Sequence, residues 1–462
     1  MNLLRELAGI GLVGVLFLSL FLLGELLRKI WHLDGELTRK FVHFGGCAVA
    51  MLFPLLLSSQ WSVFLLGIVF SLLIYLSARR GKLQSIHGVE RKTLGGIYHP
   101  IAIYLCFLIC SLLNKMVFYE IAIMVLALSD SMAALVGKSY GQRIYRVERD
   151  SRKSLEGSII FFLLTFLVVH LSLLLLTGMG RLESVLTALL IAILVTLFEA
   201  ISLGGADNLF VPLGTVFLLL KNVSPAIGEI GFQLLALALT ALLLWLIVRP
   251  FRKIGFSGNI ALILAAYTGW GLVDFYWMLP ILYGVLLICR TGWIVDTPED
   301  PEEVYRVQPA FYLVVVPVGW VLAANLAGKL YTPAMPPWFF PPYAAALVGQ
   351  LAILRLRKRL AHRRDISAGS LWYDTVLLWL FPAALFPVVF QEFSVRIILL
   401  QLAALATALA AVFFYRYGVA GKRLTPALSL RLRMSLVLVS SIGLGVLSLF
   451  AFCPERWWQG EL

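Results

Sequence analysis

Four short segments hold polar side chains that the apolar composition around them does not explain. In RKSLEGS, residues 152–158, the cations Arg152 and Lys153 precede Ser154, Glu156, Gly157 and Ser158, and a wholly apolar run follows. Ser154 suits a helix N-cap, and Glu156 in the first turn complements the positive end of the helix. Two cations at that end oppose the macrodipole. An anion held by free main-chain amides together with Arg152 and Lys153 would reconcile them.

The second segment is LSDSMAALVGKSYG, residues 128–141. At 1.5 Å per residue, Asp130 lies roughly 10 Å deeper than Gly137 on the same helix face, and a carboxylate at that depth needs a cavity, a metal or a cation. Gly137 and Gly141 keep that face open. The triplet Gly137-Lys138-Ser139 mimics the end of a P-loop, but the glycine required earlier in the motif is Met132 and no strand precedes it. In the third segment, GELTRKFVHFGG, Arg39 and Lys40 stand one turn before His43, with Glu36 and a glycine pair nearby. The fourth, FEAISLGGADNLFVPLG, has Glu199 ending an apolar run, a break at Gly204-Gly205, then Asp207 and Asn208, with Pro212 expected to interrupt a short apolar segment. Asp, Asn and Glu are hard oxygen ligands suited to phosphate-bearing Mg²⁺. Carboxylates for a metal, cations for phosphate and glycines for close approach point to phosphoryl or nucleotidyl transfer to a membrane lipid. Such chemistry rests on positioning and charge neutralisation.

The elements that must position these groups are membrane helices. The chain has 61% hydrophobic and 14% charged residues and a mean hydropathy of +0.92, and its apolar runs repeatedly approach the about 20 residues that one span requires. An all-α polytopic membrane protein with about 16 transmembrane helices is expected. The first apolar run is read as a span, because it is too long for a signal-peptide core and lacks a small-residue cleavage site. Cations cluster in alternate loops, at 28–40, 79–92, 138–153, 249–253, 355–364 and 416–433. The positive-inside rule then puts these loops in the cytoplasm and both termini outside. The net charge of +13 is explained by this topology and by attraction to anionic lipid headgroups. Nucleic acid is not expected as a partner, since no aromatic residues interleave with the basic runs.

Intramembrane polar residues concentrate before about Lys253, which divides the chain into a catalytic membrane domain, 1–253, and an accessory transmembrane domain, 254–462. The acidic loop 291–308 is a candidate lid or contact. The five cysteines lack metal spacing and read as small core residues.

Taken together, Glu36, Arg39, Lys40 and His43; Asp130, Ala133, Gly137 and Gly141; Lys153, Ser154, Glu156, Gly157 and Ser158; and Glu199, Asp207, Asn208 and Pro212 resemble the dolichol kinase and phytol kinase group of CTP-dependent lipid kinases. That group is distantly similar to phosphatidate cytidylyltransferases. The resemblance covers about residues 30–220. It implies CTP as phosphate donor, a divalent metal such as Mg²⁺, and a polyprenol, phytol or diacylglycerol acceptor. On that basis Asp130 and Asp207 hold the metal, supported by Glu199 and Asn208. Arg152, Lys153 and the helix start at Ser154 to Ser158 hold the CTP phosphates, and Gly137 and Gly141 leave room for the nucleotide. Arg39, Lys40 and His43 close the phosphate site, with His43, Asp130, Lys153 and Glu156 as the catalytic set. The longer basic motif and acidic signature of the cytidylyltransferases are absent, which argues against CDP-lipid synthesis. An ion-coupled transporter using Asp130, Glu199 and Asp207 is the competing reading, although no repeat between halves supports it. A bacterial inner membrane is the expected location, with the active site on the cytoplasmic side.

Overall fold

The computed structural model describes residues 3–79, 95–148, 151–223, 226–251, 254–291, 307–330, 336–361, 367–391, 393–419 and 426–449. Most of the basic stretch 79–92, nearly all of the acidic loop 291–308 and Cys453 lie outside them. The chain separates into two compact units, Met1–Leu234 and Leu235–Leu462.

The first unit contains α1 (Leu3–Ile30), α2 (Gly35–Ala50), the single turn α3 (Phe53–Leu56), α4 (Gln60–Arg79), α5 (Gly95–Leu112), α6 (Met116–Val125), α7 (Ser131–Tyr140), α8 (Leu155–Leu176), α9 (Arg181–Ile201) and α10 (Asp207–Asn222). The boundary between units falls within α11 (Ile227–Val248). A five-residue π-turn, Leu126–Asp130, joins α6 to α7, so that Met116–Tyr140 forms one span. A short antiparallel hairpin, β1 (Ile144–Glu148) and β2 (Ser151–Ser154), precedes α8.

Local chemistry sets the helix starts. The Asp34 carboxylate accepts from the Glu36 amide at 2.8 Å and caps α2, and the expected Ser154 cap is present, its Oγ accepting from the Gly157 N–H at 3.1 Å. On the opposite end of α1, Glu6 accepts from both Ser58 and Ser59 amides just before α4. This satisfies donors that a helix start otherwise leaves unpaired. Between α9 and α10 the turn runs through Gly204 and Gly205 at φ +59° and +87°, a left-handed conformation that favours glycine. Pro212 lies inside α10 and does not interrupt it, contrary to the sequence expectation.

Helices α8 and α9 form a hairpin, α7 crosses α8, and α10 packs on α5, α6 and α9. At the α7–α8 crossing, a Cβ on Gly157 would sit 2.9 Å from the Ala133 carbonyl oxygen and 3.3 Å from Gly137 Cα. Backbone cannot yield as a side chain can. Gly157→Ala is expected to lower stability by about 1–3 kcal/mol, read as an earlier melt in detergent, whereas Gly178→Ala, with open space around it, should melt near the parent. Equal melts for the two would remove the crossing argument.

The second unit comprises the rest of α11 with α12 (Phe256–Leu272), α13 (Leu279–Thr291), α14 (Val307–Leu330), α15 (Phe340–Ala361), α16 (Ala368–Phe390), α17 (Val395–Phe414) and α18 (Pro426–Leu447). Helix α15 is central to it, packed by α14, α16, α17 and α18. Asp374, isolated in the sequence, is held there by Arg355 at 2.9 Å and Arg359 at 2.8 Å.

Among the described residues, twelve helices are long and apolar enough to cross a membrane, against the expected sixteen or so. The all-α membrane class holds, but apolarity was taken as equivalent to span length. Helices α10, α12 and α13 have 16, 17 and 13 residues, short of the about 20 needed to cross the hydrocarbon core.

Candidate active site

The first unit brings three of the four sequence segments to one place and draws part of the fourth toward it. Helix α2 lies against the π-turn. Lys40, about one turn after Glu36 and one turn before His43, enters from that face and reaches Asp130. Its Nζ lies 2.6 Å from Asp130 Oδ2 and 3.2 Å from the Asp130 carbonyl oxygen. Both side chains are buried, at 5% and 8% exposure, so this is a desolvated ion pair whose members depend on each other. His43 Nε2 stands 3.2 Å from the same Oδ2, out of line for a hydrogen bond. Arg39, on the neighbouring face of α2, makes a forked pair with Glu36 at 2.5 and 3.2 Å.

A second lysine repeats this pattern. Lys153 Nζ lies 2.6 Å from Glu199 Oε1 and also donates to the Glu199 main-chain carbonyl. Burial alone would lower the Lys153 pKa, but Glu199 and Asp207 outweigh it and the net direction is upward. The ammonium therefore keeps its charge through the neutral range. Asp207 is half-buried at the start of α10 and within electrostatic range of Arg39, Lys153 and Glu199. Asn208 donates to the Gly95 carbonyl at 3.0 Å, joining α10 to α5.

The hairpin, which sequence reasoning missed, separates the two cations of the RKSLEGS segment. Successive residues of a strand point to opposite faces. Lys153 turns inward to Glu199, while Arg152 is exposed opposite Arg146. The structure does not bring the two together on one ligand. Glu156 is likewise turned away: its carboxylate accepts from the Arg143 amide at 3.1 and 3.3 Å. Ser158 pairs with the Tyr145 hydroxyl at 2.8 Å, and the space at Gly137, Gly141 and Gly157 is filled by Ser154 and by the helix crossing. These five residues are structural neighbours of Lys153. Asp130, expected as a metal ligand, has its Oδ2 taken up by Lys40.

Beside the Lys40–Asp130 pair opens a cavity of ≈ 320 Å³, within the usual size range of ligand pockets. Phe17, Phe21 and Phe70, with aliphatic side chains of α4 and α5, form most of its wall, and Arg39, His43, His99 and Asn208 supply the polar part. His99 and Cys47 were not foreseen as site residues. The His99 ring lies 4.6 Å from that of His43, centroid to centroid, and its Nε2 is 3.9 Å from Cys47 Sγ. The only sequence signal was the Gly-Gly-Ile-Tyr-His-Pro run opening α5, in which one histidine stands in an otherwise apolar helix.

The cavity is thus lined mainly by apolar side chains, with Arg39, His43, His99 and Asn208 as its polar members. The phytol kinase of Synechocystis sp. is 32% identical to this chain over 209 residues, which is 45% of this chain and 89% of the relative. The chain belongs to the phytol kinase family. No family profile matches the chain, and no solved structure matches it. The match narrows the sequence-based resemblance to the phytol kinase side of the group, and it leaves more than half of the chain beyond what the family relative spans.

Proposed function

We propose that the chain phosphorylates a membrane isoprenoid alcohol, such as phytol, dolichol or another polyprenol, using CTP and a divalent metal at the cytoplasmic face of a bacterial inner membrane. The observation that carries this reading is the cavity: phenylalanine and aliphatic walls for an isoprenoid tail, with Arg39, His43, His99 and Asn208 in its lining and His43 against the buried Lys40–Asp130 pair. The family's phytol kinase supports it.

The lipid hydroxyl oxygen would attack the γ-phosphorus of CTP, the bond to the β-phosphate oxygen would break, and CDP would leave. His43 takes the hydroxyl proton, and the Asp130 carboxylate 3.2 Å away favours the imidazolium that results. Arg39 and Lys153 stabilise charge on the transferring phosphoryl group. The donor set fits a hard divalent cation. Glu199 Oε2 is buried with no hydrogen-bond partner, Asp207 lies beside it electrostatically, and Mg²⁺ commonly takes one or two carboxylates and completes its shell with water and phosphate. Glu199 and Asp207 would hold it, with the Asn208 carbonyl in support. Bound there, the ion would neutralise developing phosphate charge.

Purified protein given γ-labelled CTP and phytol or a polyprenol should yield labelled lipid phosphate. Absence of label in every isoprenoid alcohol would overturn the reading. Label transferred only to diacylglycerol, or entering the lipid from the α-phosphate, would replace it with diacylglycerol kinase or cytidylyltransferase chemistry. Ion-driven uptake without nucleotide would replace it with transport.

The cavity makes a second prediction. A Cβ on Gly46 would stand 3.5 Å from Phe17 and 3.6 Å from His99 Nε2, in ordinary contact, so larger side chains project into the pocket. Gly46→Val should raise the KM for the alcohol about tenfold or more while the KM for CTP stays unchanged. Equal changes in both would place the acceptor elsewhere.

A further inference from the structure

The polar lining of the cavity adjoins a thiol, Cys47, that phosphoryl transfer does not require. One nitrogen of His43, one of His99 and Cys47 Sγ lie within 4.8 Å of one another. Among the described residues this is the one such grouping of three histidine, cysteine or acidic side chains. We propose that His43, Cys47 and His99 form a binding site for a soft or borderline d-block cation such as Zn²⁺, and that its occupation blocks the lipid alcohol.

The geometry is close to what such an ion needs. Zn–S near 2.3 Å and Zn–N near 2.0 Å put sulfur and nitrogen about 3.5 Å apart across a tetrahedral centre, and Cys47 Sγ to His99 Nε2 is 3.9 Å. His43 and Cys47 are one helical turn apart on α2 and so share a face, while His99 approaches from α5. The Asp130 carboxylate, 3.2 Å from His43 Nε2, adds a negative charge beside the site. The nearby Lys40 charge is balanced by that same carboxylate, so the cation does not face an uncompensated ammonium. Thiolate and imidazole ligands select such ions over Mg²⁺, which separates this site from the carboxylates Glu199 and Asp207. His43 and His99 both line the cavity, so a bound ion would stand where the acceptor hydroxyl must come. That last step rests on the proposed lipid kinase reading; metal binding itself does not.

The test uses the full chain in detergent and Co²⁺ alone as the first probe. A saturable thiolate-to-cobalt absorption band should appear, vanish in Cys47→Ala, weaken in His99→Gln, and persist in Cys106→Ala, whose cysteine lies outside the group. Absence of the band in the parent, or its persistence in Cys47→Ala, would overturn the site. Zn²⁺ should displace Co²⁺ and raise the KM for the alcohol at least tenfold in the parent while leaving Cys47→Ala unaffected. Zn²⁺ that binds through Cys47 without changing that KM would overturn the overlap with the acceptor path. A chain that shows the band but phosphorylates no alcohol would sink the kinase reading and leave the metal site standing.

Discussion

Asp130→Asn should reduce phosphoryl transfer by about a thousandfold, the upper range for losing one preorganised charge in a water-poor site, and should also destabilise the protein. The second effect follows from burial. Lys40 is 5% exposed and its Nζ is 2.6 Å from the carboxylate, so neutralising Asp130 leaves a buried ammonium without its counter-charge, at a cost of about 3–5 kcal/mol. Lys40→Met combined with Asp130→Asn removes both charges and should recover most of that stability. It should not recover activity, because the imidazolium formed at His43 would still lack its carboxylate. Thermal melts in detergent and turnover with labelled CTP separate the two effects. Activity restored in the double variant would reduce Asp130 to a structural role.

Lys153→Met should slow transfer by about 10²–10³-fold, and the same logic divides stability from function. The single variant strands Glu199, whose Oε1 loses its partner and whose Oε2 already has none. Lys153→Met with Glu199→Gln should melt close to the parent and stay inactive. Arg152→Met, on the exposed face of the same strand, should reduce activity by less than about threefold, in line with the small contributions of solvated charges. Comparable losses from Arg152 and Lys153 would contradict the divergence imposed by the strand.

How much of this was legible depended on whether a residue's role is local. Apolar runs reveal membrane helices without knowledge of their neighbours, and Ser154 as a cap follows from its immediate sequence. Asp130 was suspicious for its expense in an apolar setting, and Lys40 and His43 for their grouping with Arg39, Glu36 and a glycine pair, but that Lys40 answers Asp130 depends on α2 lying against the π-turn. The hairpin 144–154 was missed because a strand pair this short has no periodic signal distinct from a polar loop, and that omission put Arg152 beside Lys153 when they point apart. The glycines of α7 and α8 read equally well as room for a ligand or room for a helix; only their mutual contact decides. His99 and Cys47 stayed unnoticed because a single histidine and a buried cysteine are ordinary until a third group comes within reach.

The π-turn at Leu126–Asp130 adds one residue to what an uninterrupted α-helix would hold, an offset of about 100° between the parts of the span before and after it. The azimuth of the segment that carries Asp130 is thereby uncoupled from that of the segment whose Gly137 meets Gly157. Deleting one residue within the turn, Leu128 for instance, would let the span close into an uninterrupted α-helix with the parts before and after it in their present orientation, whereas a deletion between the turn and Gly137 would turn the glycine seam by about 100° away from the carboxylate's azimuth. A length change that this turn can absorb would be, elsewhere in the span, a rotation of half the membrane-crossing segment.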